Sequence, residues 1–271
     1  MRSKIIQDVI DVIRCKKFKN EVFYKCALNF KRKVYSCYYR IINYKKIPCY
    51  DYIISLGYNC EISFRITDLL GNVESFLFTW VYVTNREKSL KTLDDLEGYK
   101  DIDFDILPYG MLEGKTTLMR FHPNEEKALM LNPKDCNIEL IKTNLKSKIK
   151  YLSTKTNDIL ASSSRLLFVM KIKVQNLEED ICFVKSVNMI LAKKCNNFNY
   201  HLLCFIEKNK ISQEYVNKIE KVNINSHVSI KFVNCFANDA ETKITGDIKN
   251  FLNAISNIYY GKKDYVNNGN I

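Results

Sequence analysis

Cys60 is the residue best placed to do chemistry. It follows Ser55-Leu56-Gly57-Tyr58-Asn59. The apolar run Asp51-Tyr52-Ile53-Ile54 ahead of it reads as a buried strand. Ile62, Ile66, Leu69 and Leu70 behind it keep helical spacing, and Gly71 closes that helix. With Asn59 as N-cap, Cys60 falls on the first helical position, where unpaired N–H groups and the helix dipole stabilise a thiolate and lower its pKa. Gly57 permits the sharp turn from strand to helix. Strand, tight turn, nucleophile and helix is an arrangement that acyl-transfer enzymes use. The competing reading is a structural cysteine after an ordinary turn.

A thiol nucleophile needs an imidazole to take its proton and pass it to the leaving group. His122 has the best claim, standing in the polar segment Arg120-Phe121-His122-Pro123-Asn124-Glu125. Asn124, Asp135, Asp239 and Asp247 are candidates to orient it. Asp239 and Asp247 follow the last predicted strand, where open α/β sheets place their sites. Asn59 and the Cys60 N–H could donate to an oxyanion. His227 is a weaker candidate base.

The segment Ser55-Leu56-Gly57-x-Asn59-Cys60, then Ser63 and Arg65, then Ser75-Phe76-Leu77-Phe78-Thr79-Trp80, resembles a family of uncharacterised proteins described as papain-like cysteine peptidases. The likeness runs over residues 51–80. It implies a hydrolase acting on a peptide or amide bond through a Cys60 thioester, with His122 as general acid and base. By the same resemblance Ser75 and Trp80 belong to the substrate-binding surroundings. The chain departs from the family pattern at two carboxylates, having Thr79 where the family has Asp before Trp, and Pro123 where it has Asp after His. Two other functions fit the same residues. An acyltransferase of surface-polysaccharide assembly would pass the acyl group to a hydroxyl, and coenzyme A would distinguish it. A catalytically decayed binding protein would use its basic arm to reach a partner. No cofactor and no metal are expected.

Other constellations carry less. Gly110-Met111-Leu112-Glu113-Gly114-Lys115-Thr116 has three residues between its glycines where a P-loop needs four. Cys195, His201 and Cys204 cannot share an ion if 201–206 is a strand, because positions 201 and 204 face opposite ways. The ten cysteines are irregularly spaced in a long chain, which argues against a disulfide scaffold. With no apolar signal segment at 1–8 and no run long enough to span a membrane, a reducing, cytoplasmic location is expected.

The elements that must position these residues form an α/β domain over 48–271, preceded by a basic helical arm over 1–47. The arm carries thirteen Lys and Arg against Asp8, Asp11 and Glu21, which accounts for most of the net charge of +12. Ile6, Val9, Ile10 and Ile13 make one helical stripe, and Phe18, Val22, Cys26, Phe30, Val34, Cys37 and Ile41 a second. Such an arm suits a packed appendage, or docking on an anionic membrane surface or acidic partner. Nucleic-acid binding is disfavoured for want of a recognised motif. Strands are predicted at 51–56, 166–172, 201–206 and 228–233, alternating with helices at 137–160, 177–192, 211–219 and 248–259. Continuous apolar strands alternating with helices indicate a mainly parallel sheet covered on both faces. Between them lie a short helix at 87–96, an acidic loop through Asp101, Asp103 and Asp105, and a strand at 116–121 that delivers His122.

Overall fold

The computed structural model describes residues 21–57, 59–72, 74–79, 81–83, 85–98, 102–124, 126–222, 224–237 and 246–261. Trp80, Asp239 and the stripe from Ile6 to Phe18 lie outside them. Four strands, β1 (Tyr52–Ser55), β6 (Leu166–Ile172), β7 (Tyr200–Glu207) and β8 (Val228–Val233), make a fully parallel sheet in the order β1-β6-β7-β8. The register pairs Ile53 with Leu167, Leu167 with His201, and Leu203 with Ser229. These are the predicted strands, and their unbroken apolar character has the predicted cause: both faces are covered.

Alternation along each strand divides the core in two. Ile53, Leu167, Val169, Leu203 and Phe205 face helices α1 (Glu21–Asn43), α2 (Glu61–Leu70) and α8 (Ile248–Tyr259). Ile54, Phe168, Met170, Leu202 and Cys204 face α5 (Ile138–Ala161), α6 (Leu177–Lys194) and α7 (Gln213–Lys221). The described part of the basic arm belongs to the first layer. Tyr35 and Tyr39 of α1 are buried there, and Ser36 Oγ donates to the Asp68 carbonyl at 2.6 Å. Among the described residues no helix is long and apolar enough to cross a membrane.

A second, antiparallel sheet completes the other layer. Strands β2 (Val81–Val83), β3 (Phe104–Ile106), β4 (Leu112–Gly114) and β5 (Met119–Phe121) run in the order β2-β5-β4-β3. The expected acidic loop is therefore partly strand. Phe104 is buried in the core while Asp103 and Asp105 point outward to Lys115, so the charges mark the solvent face of β3. Helix α3 (Arg86–Asp94) leaves β2, capped by Asn85, and the short helix α4 (Glu126–Leu131) follows β5.

Candidate active site

The chain leaves β1 through Gly57 at φ +86°, where a Cβ would stand 2.8 Å from Val83 Cγ2. Glycine is required there both for the left-handed backbone and for the close approach of β2. Asn59 Oδ1 then accepts the Glu61 N–H at 3.1 Å, and α2 begins at Glu61, closed at its far end by Gly71 at φ +88°. Cys60 is thus the flanking cap residue, one place before the observed helix start and not on the first helical position where it was expected. Its thiol is partly exposed and makes no hydrogen bond with the described residues.

The expected lowering of the Cys60 pKa is not what the structure gives. Burial pushes it up to about 11, the Glu126 charge adds to the rise, and Lys171 opposes it. Desolvation outweighs the helix terminus because a thiolate loses most of its hydration in this position. Cys60 therefore rests as a neutral thiol at neutral pH.

Beneath the turn lies a buried row of charges. Lys171 Nζ, from β6, reaches Glu61 Oε2 at 2.7 Å and Asn59 Oδ1 at 2.9 Å, so one ammonium holds both neighbours of Cys60. The Phe236 ring lies 4.5 Å from that ammonium, and the Ala237 N–H donates to Glu61 Oε2 at 2.9 Å. Glu61 continues to Arg65 at 3.8 Å, Arg65 to Asp68 at 3.0 Å, and Asp68 to Arg32 of α1 at 2.6 Å. The side chains of Glu61, Arg65 and Lys171 are completely buried. Asn59, proposed as an oxyanion donor, has its side-chain oxygen committed to this row and orders the turn.

His122 leaves the end of β5 and pairs through Nδ1 with Glu126 Oε2 at 2.8 Å. Glu126 opens α4, and its charge contributes to the rise of the Cys60 pKa. No hydrogen bond joins His122 to Cys60. Glu126 escaped the sequence reading, although a carboxylate four residues after His122, at a helix start, was the available signal.

The other candidates are elsewhere. Asp247 caps α8, accepting from Asn250 N at 3.4 Å and Asn234 N at 2.9 Å, and so is engaged away from His122. Ser75 belongs to a segment packed on α5: its carbonyl accepts from Lys155 Nζ at 3.2 Å, and Leu77 N donates to Thr156 Oγ1 at 3.0 Å. Thr79 Oγ1 accepts the Phe76 N–H at 2.8 Å, a turn bond that Asp at this place would also make. His201 and His227 sit at the amino-terminal ends of β7 and β8, across the sheet from Cys60.

The topology opens a crevice next to the turn, although Cys60, His122 and Glu126 are not among the residues that line it. Strands β1 and β6 are parallel neighbours, yet the helix following β1 packs on one face and the helix following β6 on the other. The chain parts at their carboxyl ends, which is where open α/β sheets bind ligands. A cavity of about 320 Å³ lies there, lined by Leu56, Val83, Arg86, Met170, Lys171 and Phe183. Lys171 connects it to the residues on either side of Cys60. Comparison of the chain with family models, curated proteins and solved structures finds no match to any of them.

Proposed function

We propose that this chain is a cysteine-nucleophile hydrolase of peptide or amide bonds, with Cys60 as nucleophile, His122 as general acid and base, and Glu126 orienting the imidazole. The observation that carries the reading is the His122–Glu126 pair at 2.8 Å, whose carboxylate charge reaches a thiol at a strand-to-helix turn. It supplies the carboxylate that the peptidase-like motif lacks at positions 79 and 123.

Because the thiol rests protonated, attack is assisted by general base. Glu126 accepts a hydrogen bond from the Nδ1–H of His122, leaving Nε2 to accept the Cys60 proton as sulfur bonds to the carbonyl carbon. The carbonyl electron pair moves to oxygen, to which the Cys60 N–H would donate. The oxyanion then collapses, the C–N bond breaks, and His122 returns its proton to the leaving amine. Water, deprotonated by His122, cleaves the thioester and restores the thiol. Lys171 and Asn59 keep the turn in one conformation while this proceeds.

Iodoacetamide labelling of each cysteine, followed by mass spectrometry across neutral pH, tests the assignment. Cys60 of the full chain should react faster than Cys60 in His122→Ala, and Glu126→Gln should fall between them. Equal rates in all three proteins would remove His122 from the site. A Cys60 that resists labelling in the native protein while reacting after denaturation would remove the enzyme reading.

A further inference from the structure

The amino-terminal edge of the parallel sheet holds a second cavity, of about 470 Å³, unrelated to Cys60. It opens between the first residues of β7 and β8 and the last turns of α8. Its size falls within the roughly 300–1,000 Å³ typical of small-molecule sites.

The charge in this cavity has one sign. Lys231 and Arg165 line it beside the imidazoles of His201 and His227, and no Asp or Glu is among its described lining residues. Arg165 is held from behind by Asp51 at 2.8 Å, but Lys231 makes no ion pair with the described residues. His201 is 7% exposed, its Nε2 lies 2.9 Å from Ser229 Oγ, and its pKa falls to about 4. Burial is the main cause, and the charges of His227 and Lys231 add to it. His201 is therefore neutral at neutral pH and serves as a hydrogen-bonding group, which leaves Lys231 and Arg165 as the standing charges of the cavity.

The walls are flat and polar by turns. Phe198 stacks on His227 at 6.0 Å and is as a residue 57% exposed, and Tyr50 tilts over His201 at 6.4 Å. An exposed ring at a cavity rim offers a stacking surface. Asn253 and Asn257, one turn apart on α8, also line the cavity and can donate and accept hydrogen bonds.

We propose that this cavity binds a small ligand combining a planar ring with an oxyanion, of the nucleoside monophosphate class, with the oxyanion at Lys231 and the ring on Phe198. The asparagine amides and the Ser229 hydroxyl would meet the polar edges between. The last turn of α8 brings its carbonyl ends to the same edge. If the basic residues did no more than offset those carbonyls, an added anion would find no net attraction.

Calorimetric titration of the full chain with adenosine 5′-monophosphate, adenosine and inorganic phosphate separates these cases. The monophosphate should bind, with both fragments at least about tenfold weaker. Lys231→Gln and Phe198→Ala should each weaken it by about tenfold, and both sites are exposed enough to tolerate substitution. Added salt should weaken it further. Failure of the monophosphate to bind at millimolar concentration would overturn the proposal. So would binding undiminished in both variants, and phosphate binding as tightly as the nucleotide would refute the role of the ring.

Discussion

Replacing Lys171 by Met tests whether the row of charges under Cys60 is as dry as it looks. The substitution removes a cation 2.7 Å from Glu61 Oε2 and 2.9 Å from Asn59 Oδ1, with both ends of the ion pair fully buried. The carboxylate left behind keeps the Ala237 N–H and a guanidinium at 3.8 Å, which soften the loss but do not replace the ammonium. Breaking a buried pair from one side costs about 3–5 kcal/mol, and these residual partners place the expected loss near the lower end. Substituting both residues, Lys171→Met with Glu61→Gln, removes the stranded charge and should recover most of it, so the double-mutant cycle should show strong coupling. Urea unfolding followed by circular dichroism measures each corner, with an unchanged slope required for the comparison. A single-variant loss below about 1 kcal/mol, the range of exposed pairs, would show that water reaches Glu61 and that the clamp on the turn is loose.

Gly57→Ala should lose roughly 1–2 kcal/mol by thermal unfolding, because φ is +86° and the added Cβ meets Val83; an unchanged melting temperature would mean that the turn adopts another form. His201 is held neutral in the folded protein down to about pH 4 but gains its proton near 6.5 when unfolded. Stability should therefore be full above about pH 6.5 and fall by up to ~3 kcal/mol as pH drops to about 4, and His201→Gln should flatten that limb. Deleting residues 1–47 removes Tyr35 and Tyr39 from the core beside α2 and α8 and takes Arg32 from Asp68, so cooperative melting should be lost or sharply lowered. Retention of the parent midpoint would make α1 a dispensable appendage.

What the sequence made legible followed the length of the signal. The four parallel strands were predicted nearly to the residue, since runs such as Leu166–Ile172 are apolar throughout, and the helix at 137–160 corresponds to Ile138–Ala161. The antiparallel sheet was largely hidden because each of its strands has three residues, too few to establish a period of two. The turn around Cys60 was readable from Gly57 and Asn59. The direction of its pKa was not, because burial is a product of tertiary packing and the charges of Glu126 and Lys171 arrive from distant sequence. Neither belongs to a motif with Cys60, and only packing brings their charges to it.

The row from Arg32 to Lys171 also has a consequence for biosynthesis. Arg32, Glu61, Arg65 and Asp68 are translated early, whereas Lys171, which closes the row at Glu61, emerges 110 residues after it. Until then Glu61 lacks its closest counter-ion, and its carboxylate is better solvated by water than enclosed by protein. The turn bearing Cys60 therefore reaches its final geometry only once β6 has left the ribosome and paired with β1. A nascent chain stalled before that point would display an open turn and a hydrated thiol, so the protein's most chemically consequential loop is finished late in synthesis.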